Sequence, residues 1–111
     1  MTVQSLIDEL GFSPIHLEEG NRPVAGGYCG DLLSWVMGRA GTDNAWFTIM
    51  SNVNVAAVAA LSDVSCVVLT EGVTPDDALL ARVQMQGINL LSTGLSTFDA
   101  AAALAAALKK E

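Results

Sequence analysis

The apolar positions of the chain change their period from segment to segment. Val3, Leu6, Ile7 and Leu10 fall at i, i+3, i+4 and i+7, the stripe of a helix that Thr2 caps and Gly11 stops. Ser13 to Leu17 then reads as a short strand, Glu18-Glu19-Gly20-Asn21 as a polar turn, and Val24 to Cys29 as a second extended piece. Asp31 is placed as the N-cap of a helix from Leu32 to Met37, which Gly38 and Gly41 end. Ala45-Trp46-Phe47-Thr48-Ile49-Met50 is too continuously apolar for a half-exposed strand. Ser51 or Asn52 is expected to cap the next helix, running to about Leu61, whose Val and Ala positions predict burial on most sides.

The second half repeats the pattern more clearly. Ser65-Cys66-Val67-Val68-Leu69-Thr70 is β-branched and apolar, a buried strand. Thr74-Pro75-Asp76-Asp77 predicts a helix start with Thr74 as cap, proline in the first position and acids against the positive dipole end. Leu79, Leu80 and Val83 give that helix its apolar face, and Gly87 closes it. Ile88 to Leu91 is a short strand, and Ser96 opens an alanine-rich last helix, with Asp99 as its partner, that ends in Lys109-Lys110. From Ala45 on, strand and helix alternate, which implies parallel strands joined by right-handed crossovers. The expected fold is an α/β layered sandwich, a mostly parallel sheet flanked by helices, in one domain over residues 1–111.

Composition narrows the function classes. Hydrophobic residues make up 51% of the chain and charged residues 15%, enough for a core and more apolar surface than one small domain needs to bury. That excess suggests a face covered by a second copy. A net charge of −7 argues against nucleic acid and against anionic membranes, both of which call for a basic patch. The apolar runs fall short of the roughly 20 residues of a membrane span. Cys29 and Cys66 are isolated, with no metal-ligand or cluster spacing, and the start Met1-Thr2-Val3-Gln4 is no signal peptide, so reduced thiols in the cytoplasm are expected.

The chemistry-bearing stretch is Asn21-Arg22-Pro23-Val24-Ala25-Gly26-Gly27-Tyr28-Cys29-Gly30-Asp31. It has neither the Gly-x-Gly-x-x-Gly spacing nor a Gly-Lys-Ser/Thr phosphate loop. Gly26 and Gly27 read either as a structural turn or as a backbone concavity beside a ligand, with Tyr28 and Asp31 at its rim. Arg22 offers a fork for phosphate or carboxylate, or a structural pair with Asp31 or another acid. Thr48, Ser51, Asn52 and Asn54 follow the Trp46 strand, where open parallel sheets bind ligands. Capping accounts for Ser51 or Asn52, whereas Asn54 lies inside the first turn and is the best single polar candidate. Thr70-Glu71-Gly72 and Ser92-Thr93-Gly94 border the same edge. His16 has no nucleophile or orienting group beside it, Asp76-Asp77 are explained as helix-start acids, and no metal site or cofactor is implied. Trp35, Tyr28, Met37 and Trp46 form either core or an interface.

The chain resembles the DRTGG domain family. Asn21-Arg22 stands where the family's Asp-Arg is expected and Ala25-Gly26-Gly27 where Thr-Gly-Gly is, so Asn21 and Ala25 depart from the pattern. Asp31-Leu32-Leu33-Ser34, Val36-Met37-Gly38, Ala45-Trp46-Phe47-Thr48-Ile49, Asn54 to Ala59, Leu91-Ser92-Thr93 and Phe98 also resemble the family. The resemblance implies a fold similar to the N-terminal domain of HPr kinase. Such domains stand alone or are joined to CBS, phosphotransacetylase or nucleotide-handling domains, and contribute to dimer interfaces. It therefore implies a non-catalytic regulatory or interaction module, homodimeric, sensing a small anionic ligand, an adenine nucleotide first, or a partner protein. A phosphotransferase- or kinase-related subunit and a structural subunit of a redox complex are the rival readings. The first lacks its phosphate loop and metal-binding acids, the second its cluster-binding cysteines.

Overall fold

The computed structural model describes all 111 residues. In chain order they form α1 (Val3–Asp8), β1 (Ser13–His16), β2 (Gly26–Cys29), α2 (Leu33–Arg39), β3 (Asn44–Thr48), α3 (Asn54–Ser62), β4 (Cys66–Leu69), α4 (Asp77–Gln86), β5 (Leu90–Ser92) and α5 (Thr97–Lys109). The strands make one sheet in the order β1-β5-β4-β3-β2. β2, β3, β4 and β5 are mutually parallel, and β1 runs antiparallel to β5 with a register shift between Pro14 and His16. The expected layered α/β sandwich is found, and the antiparallel edge is the feature that strand-by-strand reading left open.

Alternation along the central strands divides the core in two. Trp46, Val67, Leu69 and Leu90 point to one face, where α2, α3 and α4 cover them with Val36, Val55, Ala56, Val58, Ala59, Leu79 and Val83. Ala45, Phe47, Cys66, Val68 and Leu91 point to the other face, under α1 and α5, which supply Val3, Leu6, Ala100 and Leu104. A strand buried on both faces has no use for polar positions, which is why these segments read as unbroken apolar runs. Trp46 is fully buried and its indole N–H donates to the Gly30 carbonyl at 2.9 Å, so Trp46 is core. Trp35 is 53% exposed, with Arg39 stacked over its ring at 3.8 Å.

Several helix starts differ from expectation. Asp31 does not cap α2. Leu32 occupies that position without a side-chain bond, because the Asp31 carboxylate is turned toward β3. Val53 is the N-cap of α3, and Asn52 instead accepts the Asn54 N–H at 2.9 Å, a local Asx turn. Asp76, not Thr74, caps α4, accepting from Leu79 N at 2.8 Å. Ser96 caps α5 as expected, accepting from Asp99 N. Gly26 and Gly27 lie within β2 rather than in a turn. A Cβ on Gly27 would meet Leu104 and Phe47 at 3.3 Å, so glycine there lets α5 approach the strand.

Candidate functional site

Because β2 to β5 are parallel, their carboxyl ends share one edge of the sheet. Asp31 follows β2, Thr48 ends β3, Thr70 follows β4 and Thr93 follows β5. Asp31 Oδ1 accepts the Thr48 hydroxyl at 2.8 Å and the Ile49 N–H at 2.9 Å, tying the first two strand ends together. Thr48 is fully buried, and its hydroxyl oxygen also accepts Met50 N–H at 3.1 Å. Ser51 and Asn52 lie at the same edge, and the Ser51 carbonyl accepts Asp76 N at 3.1 Å. Asn54 is exposed at the first turn of α3, with its side chain toward solvent. The edge thus gathers Asp31, Thr48, Ser51, Asn52 and Asn54 from segments up to 23 positions apart in the chain.

The carboxyl edge also contains the crossing point of the fold. β4 leads into α4 on one layer, whereas its neighbour β5 leads into α5 on the other. Connections that part from adjacent strands open the crevice where α/β sheets bind ligands. Here the chain's own groups bridge it. Glu71 N–H donates to Leu95 O at 2.8 Å and Gly72 N–H to Thr93 O at 3.1 Å, and the Thr70 and Thr97 hydroxyls share a bond of 2.6 Å. Glu71 is held at φ 60°, and its carboxylate accepts the Thr97 N–H at the start of α5. Ile49, Leu95 and Phe98 flank this edge as exposed apolar side chains, Phe98 being 80% exposed.

The other half of the expected set lies elsewhere. Gly26 starts β2 opposite Asn44, so it borders the amino edge of the sheet, and Gly27 and Tyr28 lie along the strand, Tyr28 opposite Trp46. Arg22 also sits at the amino edge. Its Nε donates to Asp43 Oδ1 at 3.1 Å, and its Nη2 to Asp63 O at 2.7 Å and Asp63 Oδ1 at 3.1 Å. Both aspartates have left-handed backbones, φ 66° and 55°, a conformation short polar side chains tolerate. Burial pulls the Arg22 guanidinium down, but hydrogen bonds and charge from Asp43 and Asp63 outweigh it and hold it above its ordinary pKa. Of the acids open to Arg22, Asp31 is not the partner: Arg22 forms its structural pairs with the two loop acids at the opposite edge. Arg22, Glu19, Asp63, Ser65 and Gln86 line a hollow of 230 Å³ there. Its acids neutralise the arginine, which makes it a poor host for phosphate.

Asn89 is the polar residue that sequence reasoning missed. It is 5% exposed, and its Oδ1 accepts Glu18 N–H at 2.7 Å and Glu19 N–H at 2.9 Å. Its Nδ2 donates to Glu19 O at 3.1 Å and Ser65 O at 3.0 Å. An asparagine at a strand start carries no local signal that its partners lie some seventy residues away. His16 pairs with Glu18 at 3.0 Å near the surface, away from any nucleophile. Burial pushes the Cys66 thiol up to about 12, and burial, then Asp31, raise the Cys29 thiol, so neither is an activated nucleophile. No group of three or more His, Cys, Asp or Glu is arranged to hold a metal. No helix is long and apolar enough to cross a membrane.

These features define an α/β domain built on a parallel sheet whose polar side chains collect at the carboxyl edge. The family model of the DRTGG domain matches residues 46–107, more than half of the chain. The chain belongs to the DRTGG domain family. The match begins at Trp46, downstream of Asn21 to Gly27, so membership rests on the strand and helix succession from β3 to α5. Within it, Thr70-Glu71-Gly72 and Thr93-Gly94 form the bridged turns described above. The solved structure of the CBS and DRTGG domains of the regulatory region of Clostridium perfringens pyrophosphatase, complexed with activator, diadenosine tetraphosphate, has the same fold. The TM-score is 0.69 at 14% identity, over 89% of this chain and 44% of that one, so this chain spans less than half of that structure. No curated protein sequence matches.

Proposed function

We propose that the chain is a regulatory module over residues 1–111, without catalysis of its own, that works in the cytoplasm as a homodimer and senses a small ligand at the carboxyl edge of its sheet. The observation that carries this reading is the convergence of Asp31, Thr48, Ser51, Asn52 and Asn54 on one edge of a fold shared with the regulatory region of a pyrophosphatase. That region binds an activating dinucleotide, which makes adenine nucleotides the first ligand class to try. The exposed rings and methyls of Ile49, Leu95 and Phe98 offer a base an apolar surface beside the polar strand ends. Arg22, Gly26 and Gly27 support the scaffold in this reading. A second reading, docking of a partner protein, draws on Leu32, Trp35 and Met37, all exposed around the short α2.

The test is a thermal-shift titration with diadenosine tetraphosphate, ATP, ADP and AMP, run on the wild type, Asn54→Ala and Arg22→Ala. Ligand at a hundred times its dissociation constant stabilises by about 2.7 kcal/mol, a shift of several degrees for a domain of this size. Loss of the shift in Asn54→Ala, with retention in Arg22→Ala, supports the carboxyl edge. Loss in Arg22→Ala alone moves the ligand to the hollow at the amino edge. A flat titration of the wild type removes nucleotide sensing and leaves partner docking.

A further inference from the structure

Asp31 is only half used by the fold. Its Oδ1 accepts the Thr48 hydroxyl and the Ile49 N–H, which fix the carboxylate between the ends of β2 and β3. Its Oδ2 takes no hydrogen bond within the chain, and the residue is exposed. The Ser51 hydroxyl, the Asn52 Nδ2 and the Asn54 side-chain amide have no partner in the chain either, and none of them carries charge.

Charge at this edge has one sign. Asp31, Glu71, Asp76, Asp77 and Asp99 all follow a strand end or open a helix there. The five Lys and Arg of the chain lie elsewhere. Arg22 is at the amino edge, Arg39 and Lys109 close α2 and α5 at that same far edge with Lys110 beyond, and Arg82 lies in the half of α4 that leads away. No ion pair of the chain involves the five acids. Helix starts carry partial positive charge, but Asp76, Asp77, Asp99 and the Glu71 carboxylate already lie against those of α4 and α5. A phosphate brought to this edge meets carboxylates and no cation.

A carboxylate fixed beyond a strand end, with one oxygen free, suits a different chemistry. It can only accept, so its complement is a group that donates, and in dinucleotide-binding sheets an acid holds the ribose hydroxyls in this way. We propose that Asp31 determines the ligand: its Oδ2 accepts the vicinal hydroxyls of a ribose, so the module senses the uncharged nucleoside, adenosine, and each added phosphate weakens binding. This rests on the carboxyl edge being the sensing site, and it orders the adenine compounds within that reading. Ile49, whose N–H Asp31 holds, is exposed and gives the base an apolar contact beside the ribose.

The experiment is isothermal titration calorimetry on the wild type and Asp31→Asn. The ligands are adenosine, AMP, ATP, diadenosine tetraphosphate, free ribose, and dideoxyadenosine, which lacks both ribose hydroxyls. EDTA is present so that no divalent cation bridges phosphate to the acids. The asparagine oxygen still accepts from Thr48 and Ile49, while an N–H₂ donor replaces Oδ2, so the variant keeps the fold, checked by circular dichroism. On the wild type, dideoxyadenosine and ATP are each expected to bind about tenfold more weakly than adenosine, with AMP between and the ATP gap narrowing as salt is raised. In Asp31→Asn, adenosine is expected to lose about tenfold and both gaps to shrink. A merely structural Asp31 would weaken all ligands alike and leave their ratios unchanged, which overturns the proposal. So does ATP, diadenosine tetraphosphate, dideoxyadenosine or free ribose binding the wild type as tightly as adenosine. Each of these results leaves ligand sensing at the carboxyl edge standing. If none of the compounds binds, the sensing reading itself fails, and the role of Asp31 with it.

Discussion

Replacing Asn89 by alanine tests whether one side chain does the work of a missing strand. Between β1 and β2 the chain runs from Leu17 to Ala25 without a strand of its own; the Asn89 amide holds it with three hydrogen bonds and is itself anchored to the Ser65 carbonyl by a fourth. Each such bond contributes about 0.5–1.5 kcal/mol net. The Ser65 carbonyl, on a residue 2% exposed, is left in a dry site, and an unsatisfied buried acceptor costs about 1–3 kcal/mol. The Glu18 and Glu19 groups lie in exposed residues, so water recovers part of their loss. The sum is about 3–4 kcal/mol, against a total of about 5–15 kcal/mol for a small domain. Urea unfolding followed by circular dichroism reads this as a lower midpoint at unchanged slope. Asn52→Ala, which removes a single exposed turn bond, is the control, with an expected cost below about 1 kcal/mol. If Asn89→Ala lies within about 1 kcal/mol of the wild type, the brace is not what holds the segment, and the reasoning fails.

Other outcomes follow from the same geometry. Arg22→Ala should lower stability by about 1–2 kcal/mol in thermal or urea unfolding, because two half-exposed acids and a carbonyl lose their donor in a partly solvated site. Cys66 sits in β4 with its thiol pushed up to about 12, so it should resist a thiol reagent in the native protein and react on denaturation. The same shift has a sign. The folded thiol holds its proton above the ordinary range, so its contribution is fully present below the unfolded value of 9.0 and is lost as pH rises toward about 12. Alkaline unfolding of Cys66→Ala should therefore show a shallower decline over that window. Iodide should quench Trp35 and spare Trp46, so Trp35→Phe should leave blue-shifted, unquenched emission. Equal quenching of both would contradict the burial of Trp46.

Some features of the fold are legible in the residues and others are not, for physical reasons. The buried strands were legible because burial on two faces leaves Ala45 to Phe47 and Cys66 to Leu69 apolar throughout. Helix ends were legible to within a turn, as with Thr2, Ser96 and Gly87, the last at φ 68°. Asp31 misled because its acid fits a cap in sequence, yet in the fold it finds the Thr48 hydroxyl and Ile49 N–H of the neighbouring strand. The glycines of β2 read as a turn because their demand comes from Leu104 and Phe47, which sequence does not place beside them. The candidate site was half legible: Thr48, Ser51, Asn52 and Asn54 follow one strand end and stayed together, while Arg22 and Gly26 went to the opposite edge.

The order and type of the central elements, their buried faces and most of their ends came from the sequence by itself, since periodicity and capping act over a few neighbouring residues. Tertiary structure decided that β1 runs antiparallel beside β5, that β2 is the bare edge, that Arg22 clasps Asp43 and Asp63, and that Asn89 reaches the Glu18 and Glu19 backbone. These pairings join residues 20 or more positions apart, where what matters is which segments the packed sheet brings together, and no local pattern encodes that.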